Sequence, residues 1–563
     1  MEQKETILKG IDEDIRRILY QYMKTQSFTC TAREKEAERF LVEHLSKIPY
    51  FQEHPEYYGT FPISGDPFER AVCFGMVKGQ GEDTVVFLHH SDVVQIEDFK
   101  LLKAYAFSPD ELEEKLKGIK DSLPHDARKD LEDGTFLFGR GSADMKGGGS
   151  IQLALLERYS RLPEMKGNVI VIAVPDEENL SAGMRAGVEL LAQLQEKYNL
   201  RYKIMINSEP HQRKNDAEGI FSEGSVGKIM PFVYVRGYLS HIGKVFEGFN
   251  PLNLMSEIVR RTELNMDFSD MVGNESAPPP TWLYLKDSKK QYDVSMPLSA
   301  FGCFSVLTLN RTPEQVMEKV EAICRDSFDR ILKEMHESYS RFSKVTDPVA
   351  GALPWKAKVV DFAGLYREAV ENHGEIFRKN YEKQSAFLWE KMKEGSLSLM
   401  ESNFRLIAFI FDYIEDLSPC VVYGLIPPYY PNVSNLYLKN KDPDVESLSR
   451  ELDAYAKEKY GQHYTTEYFY TGISDLSYTS MQDGKEILVS LEKSMPLLGE
   501  FYGIPTAAIE KISMPCMNIA PWGKDFHKLT ERVNREDLYH RTPHILNKAV
   551  SLLLHDPALT DAK

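Results

Sequence analysis

Val85-Val86-Phe87-Leu88-His89-His90-Ser91-Asp92 is the stretch that decides how the rest of the chain is read. Its first four residues are all apolar and leave no polar face. A run this short, and apolar on both sides, is the pattern of a strand buried between helices in a parallel sheet. Two histidines, a serine and an aspartate follow at once. Two more runs repeat the arrangement. Val169 to Val174 leads into Pro175-Asp176-Glu177-Glu178, and Tyr202 to Ile206 into Asn207-Ser208-Glu209-Pro210-His211. Helical patterns lie around them, at Ile151 to Arg161 and Ala182 to Lys197. In an open parallel sheet, ligands bind outside the carboxyl ends of the strands. Three strand ends with histidine or carboxylate therefore gather polar chemistry on one rim of an α/β sheet.

A fourth contribution comes from Gly139-Arg140-Gly141-Ser142-Ala143-Asp144-Met145-Lys146-Gly147-Gly148-Gly149, just before a helix. One carboxylate, Asp144, lies between two groups of glycines. Glycine lets the backbone turn tightly and lets other groups come close. An acid placed there could bridge two metal ions. The dinucleotide fingerprint fails, because Asp144 takes the place of its last glycine. The phosphate loop fails as well, because Lys146 precedes its glycines. Taken alone, the stretch reads equally as a plain turn, and each strand-end cluster as solvated loop. Four of them on one expected rim favour a site.

The chain has 563 residues, more than one hydrophobic core usually serves, so two or more domains are expected. Hydrophobic residues make up 42 % and charged residues 27 %, the balance of a soluble globular protein. A net charge of −17 argues against a nucleic-acid backbone or an anionic membrane as partner. The six cysteines, Cys30, Cys73, Cys303, Cys324, Cys420 and Cys516, form no Cys-x-x-Cys pair. A reducing cytosol fits this better than a disulfide framework or a cysteine-bound zinc site. The first residues lack the apolar core of a signal peptide. No apolar run reaches the roughly 20 residues of a membrane span. A cytoplasmic protein is expected.

Beyond the strand ends, Ile11 to Met23 and Ala32 to Ile48 read as helices. Near residue 230 the pattern changes. Strand Phe232 to Val235, helix Leu252 to Arg261, strands Trp282 to Leu285 and Phe304 to Leu309, and a helix opened by Pro313 give a βαββα order. That order implies a small α+β sandwich inserted in the larger domain. Residues 355–417 read as helices, including Val359 to Asn372, Ile376 to Lys393 and Leu397 to Ile414. Val421 to Ile426 reads as a strand returning to the large sheet, and a last helix runs to Leu554. The expected division is a catalytic domain in two parts, 1–229 and 345–563, with the insertion at 230–344.

Carboxylate oxygens and imidazole nitrogens suit hard or borderline divalent cations. The candidate ligands are His90, Asp144, Glu178, Glu209 and His527. Paired sites of this kind polarise a carbonyl and activate a shared water. Glu177, beside Glu178 but pointing away from it, could act as general base. There is no Gly-x-Ser-x-Gly elbow and no His-Glu-x-x-His helix.

These segments resemble a known family. Phe87 to Val94 is similar to the His-x-Asp-Val segment of the dinuclear-zinc aminoacylase, carboxypeptidase and desuccinylase superfamily. Gly139 to Gly148 resembles its Gly-Arg-Gly-x-x-Asp-Met-Lys-Gly-Gly segment residue for residue. Pro175 to Glu178, Ser208-Glu209-Pro210 and Pro521 to Glu531 resemble its remaining site segments. The resemblance implies a zinc-exopeptidase-like, mostly parallel sheet flanked by helices, with a ferredoxin-like lid. It implies one metal on Asp144, Glu178 and His527 and another on His90, Asp144 and Glu209. Zinc is the metal implied, with cobalt or manganese as alternatives. Asp92 would orient His90, and Glu177 would be the base. Gly237 to His241 with Asn250-Pro251 resembles the lid segment whose histidine, His241, stabilises the oxyanion. Asn310 to Pro313 resembles the lid strand that ends in an arginine. Arg311 there would clamp a substrate carboxylate, and a strand-end salt bridge is the other reading. Gly472 to Asp475 resembles, more loosely, a loop at the substrate end of the cleft. In dimeric relatives the lid forms the interface, so a homodimer is implied.

The chain departs from the pattern by a charged helical insert near Glu111 to Asp130 and by the expanded region 355–417. These additions resemble the bacterial Roc-type, arginine-utilisation branch. The reading is a metal-dependent hydrolase that cleaves an amide C–N bond in a small N-acyl amino acid or peptide. The alternative is a non-catalytic binding protein that keeps the fold.

Overall fold

Strands whose every residue is buried have to be covered on both faces. The computed structural model, which describes residues 7–162, 164–213, 215, 217–346, 352–438, 442–499 and 502–559, shows how this is done. The chain divides into two compact units. Unit 1 comprises residues 1–226, 433–482 and 505–563, and unit 2 comprises 227–432 and 483–504.

Unit 1 is built on an eight-stranded sheet. Its order is Tyr58–Pro62, Ala71–Val77, Asn168–Val174, Asp83–His90, Arg201–Asn207, Cys516–Asn518, Glu218–Ser222 and His463–Glu467. Asp83–His90 runs parallel to both of its neighbours, and Cys516–Asn518 runs parallel to Arg201–Asn207. At one end Ala71–Val77 is antiparallel to both of its neighbours, and at the other Glu218–Ser222 is antiparallel to Cys516–Asn518 but parallel to His463–Glu467, so the sheet is mixed with a parallel centre. Register decides the site. His90 lies opposite Val174, and Leu88 lies opposite Asn207. The three strands therefore end together, and the residues after each end share one rim.

Side chains alternate between the faces of a strand. Val169, Val171 and Ala173 join a core with helices Ile11–Met23, Lys146–Tyr159 and Thr542–Leu553. Ile172 and Val174 face helix Ala182–Tyr198, where Gly187 lies against them. Each fully buried aliphatic side chain of this kind contributes about 1.5–3 kcal/mol.

Unit 2 carries a second sheet, ordered Thr281–Asp287, Ser299–Thr308, Pro231–Arg236, Cys420–Leu425 and Val359–Asp361, with Gly227–Ile229 pairing onto Ser299–Thr308. The expected βαββα elements are present, including helices Pro251–Thr262 and Pro313–Thr346. Two placements differ from the sequence reading. Val421 to Ile426 does not return to the large sheet: Cys420–Leu425 pairs with Pro231–Arg236 in unit 2. Val359 does not open a helix: Val359–Asp361 is a short strand, and the helix begins at Phe362. Residues 352–432 as a whole lie in unit 2. Helices Phe362–Lys393 and Leu399–Phe411 pack Leu365, Phe377, Phe404, Ile407 and Ile410 against Phe232, Tyr234 and Phe301 of the sheet. No helix among the described residues is long and apolar enough to cross a membrane.

Candidate metal centre

Five separate segments of unit 1 converge on one cluster. His90 Nε2 lies 2.9 Å from Asp144 Oδ1 and 3.4 Å from Glu209 Oε1. His527 Nε2 lies 3.1 Å from Asp144 Oδ2 and 2.9 Å from Glu178 Oε1. Asp144 thus stands between the two imidazoles, one oxygen toward each. Donor atoms of His90, Asp144 and Glu178 lie within 4.8 Å of one another, and so do those of His90, Glu177 and Glu209.

Asp92 organises two of these segments. Its backbone carbonyl is 3.1 Å from His90 Nδ1, and its carboxylate is 3.5 Å away. The same carboxylate accepts the backbone N–H of Glu177 at 3.2 Å on one oxygen and of Glu178 at 3.3 Å on the other. One buried acid therefore fixes the ring of His90 and the backbone from which the two glutamates diverge. A second buried network holds the residue before them. Arg70 Nη1 reaches Asp176 Oδ1 and Glu34 Oε1, both at 2.7 Å, while Asp176 adopts a left-handed φ of 71°.

The glycine-rich turn is shaped by what it touches. A Cβ on Gly147 would lie 2.3 Å from Ser142 O, on Gly148 2.2 Å from Ser208 O, and on Gly149 2.6 Å from the His89 ring. The first turn of helix Lys146–Tyr159 thus abuts the Asp144 turn and the ends of two strands. Any side chain at these glycines would push ligand-bearing segments apart.

Glu531, which the sequence reading did not single out as a site residue, supplies the acceptor for this turn. Its Oε1 takes the N–H of Gly141 at 2.7 Å, Asp144 at 3.3 Å and Ala143 at 3.4 Å, and its other oxygen pairs with the buried Arg140. Buried amides need acceptors. A tight glycine turn was the available signal that an acid must come from elsewhere. Burial holds the Glu531 carboxyl up at about 7, against the pull of Arg140. Asp475, in the Gly472 to Asp475 loop, also joins the cluster. Its Oδ1 accepts from Ser181 Oγ at 2.6 Å, and burial raises it to about 7.

The electrostatics fit a pair of divalent cations. Burial pushes the carboxyls of Glu177, Glu178 and Glu209 up, and mutual repulsion with neighbouring acids adds to this. The hydrogen bonds of Asp144 and Glu178 push His527 up to about 11. Carboxylates so crowded around two imidazoles draw positive charge into the cluster. The donors are oxygen and nitrogen only, a set that divalent zinc, cobalt and manganese all accept.

The other three expected residues lie in unit 2. His241 Nδ1 accepts the N–H of Gly243 at 3.0 Å, and Asn250 caps helix Pro251–Thr262 by accepting from Leu252 N at 3.0 Å. Arg311 donates to Asp267 O at 2.9 Å and lies 3.7 Å from Asp270.

A sheet with a parallel centre, with one histidine and three glutamates at its strand ends and a second histidine and an aspartate brought to them on turns, fits a metallohydrolase. The chain belongs to the peptidase family M20/M25/M40, which it matches over residues 109–543. It is similar to the protein YqjN of Bacillus subtilis (strain 168), with 30 % identity over 545 residues and 96 % of each chain covered. It is also similar to Protein RocB of the same organism, with 28 % identity over 530 residues, 92 % of this chain and 91 % of RocB. The M20 family metallo-carboxypeptidase Sso-CP2 from Sulfolobus solfataricus shares the fold. Its TM-score is 0.54 at 11 % identity, covering 96 % of this chain and 99 % of Sso-CP2.

Proposed function

We propose that the protein hydrolyses the amide C–N bond of a small N-acyl amino acid or peptide, using two zinc ions and Glu177 as general base. His90, Asp144 and Glu209 would hold one cation, and Asp144, Glu178 and His527 the other. The observation that carries this reading is the pair of hydrogen bonds that the amides of Glu177 and Glu178 donate to the Asp92 carboxylate. It lets consecutive carboxylates take different roles, one as ligand and one as base.

When bound, two divalent cations polarise the scissile carbonyl and acidify a water. Glu177 takes the proton of the attacking water and returns it to the departing nitrogen, so the amine leaves neutral. Glu177 holds that proton between the two steps. The family resemblance assigns His241 to the oxyanion and Arg311 and Asn250 to the substrate. It also assigns a homodimer through the inserted lid, residues 230–344, which sedimentation velocity reads directly. The inserts that resemble the arginine-utilisation branch direct the search toward arginine-derived substrates.

Glu177→Gln tests the proposal against a panel of N-acyl amino acids and dipeptides, arginine derivatives included. Turnover is expected to fall about 10²- to 10⁴-fold while bound metal stays constant. Turnover unchanged both by this substitution and by chelation overturns the reading.

A further inference from the structure

The charged insert between Asp92 and Asp144 folds as two helices, Pro109–Lys117 and His125–Asp133. The second places Asp126 and Asp130 one turn apart on one face. Both point at Arg532, whose side chain is fully buried. Arg532 Nη2 lies 2.6 Å from Asp126 Oδ2, and Nε lies 2.7 Å from Asp130 Oδ2. Its remaining nitrogen, Nη1, pairs with Asp525 and donates to Thr530 O at 3.0 Å. Lys524 doubles the link, with Nζ 2.9 Å from Asp130 and 3.1 Å from Asp126. The guanidinium is sandwiched against Phe136 and Phe138, each 5.6 Å from Cζ.

At the far side of this network lies the turn that carries His527. Asp525 and His527 both hold left-handed backbone, with φ of 54° and 63°. Asp525 is fixed from two directions, by Arg532 and by the Thr530 hydroxyl, which donates to it at 2.8 Å. The His527 side chain itself is 48 % exposed, so packing alone does little to aim it. Arginine keeps its charge and presents its donors in a rigid fork. Three carboxylates on one such fork fix the turn with respect to the insert helix.

We propose that Arg532, Asp126 and Asp130 are positioning residues for His527, and that the insert helix thereby sets the affinity of the cation site formed by Asp144, Glu178 and His527. This rests on the two-cation reading above. The insert then has a purpose, since it braces the one predicted ligand that stands on an exposed turn rather than on a strand end.

The test compares the full-length wild type with the isosteric double variant Asp126→Asn/Asp130→Asn, and with Arg532→Met. Each is stripped by chelation and titrated with Co²⁺ by calorimetry, and the visible spectrum of bound cobalt is recorded. The wild type is expected to bind two ions. In the variants one site is expected to weaken about 10- to 100-fold with a changed cobalt spectrum, while the other stays within about twofold. A general loss of structure would not divide the two sites in this way. The double variant keeps side-chain volume, so the test stands even where Arg532→Met fails to fold. Two sites of unchanged affinity and spectrum, or both sites weakened alike, overturn the inference alone. A wild type that binds no divalent cation overturns it together with the proposed function.

Discussion

Gly148→Ala is a one-carbon change whose effect the structure sizes. The added Cβ would lie 2.2 Å from Ser208 O, 2.7 Å from Ser208 Cβ and 3.1 Å from Ser208 C. Two of these atoms are backbone, so no side-chain rotation relieves the contact. Opening it to ordinary van der Waals distance moves the helix or the strand end by about 1 Å, at a cost near the upper end of overpacking, about 3 kcal/mol. Alanine recovers about 1 kcal/mol in helix propensity, leaving a net loss of about 2 kcal/mol. Ser208 precedes Glu209, so the same shift displaces a predicted ligand, and 1 Å at a reacting centre is expected to cost about 10²-fold in turnover. Gly187→Ala is the control. It too lies inside a helix of unit 1, but its nearest neighbours would be at 3.5–3.7 Å, ordinary contact. It should gain about 0.5–1 kcal/mol. Urea unfolding and turnover of both variants decide the matter. Gly148→Ala as stable and active as Gly187→Ala would refute the claim that the glycines exist to let the helix abut the site.

Three further outcomes follow from particular contacts. Glu531→Ala leaves three turn amides without their acceptor and Arg140 buried beside an emptied partner position; urea unfolding should show a loss of about 3–5 kcal/mol. Phe404→Ala removes the ring that stacks on Phe301 at 4.6 Å and Tyr284 at 5.9 Å and meets Phe232 edge-on; denaturation followed by a unit 2 tryptophan, Trp282, should shift by about 3–5 kcal/mol. His44 is buried and held down at about 4, chiefly by burial. Its unfolded form takes a proton near pH 6.5, so its contribution to stability is present above that pH and is lost as pH falls from 6.5 toward 4. His44→Leu should flatten the fall in melting temperature over that window, by the equivalent of about 3 kcal/mol at its acid end.

Much of the catalytic fold was legible because its central strands are apolar on both faces and end in chemistry. His90, Glu177, Glu178 and Glu209 follow such strands directly, so locating the strands located the residues. The same signal misled at Val421 to Ile426, since a wholly apolar run reads alike in any sheet and only tertiary pairing chose Pro231–Arg236 as partner. Val359–Asp361 is three residues long, too short for its period to stand out against the helix that follows. The role of Glu531, the residue on which the last resembling segment ends, was hidden for a different reason. Its partners are the backbone amides of Gly141, Ala143 and Asp144, about 390 positions away, and amides leave no mark in the sequence. Arg532 is similar. Its carboxylate partners Asp126 and Asp130 lie in a charged insert whose helices look like solvated surface until the chain is folded.

The centre itself is most directly tested by an anomalous-difference map from crystals grown with zinc. The expected result is two peaks per chain, one against His90 and Glu209, the other against Glu178 and His527, with Asp144 touching both. No peak among these side chains, or zinc bound only elsewhere on the surface, would contradict the account.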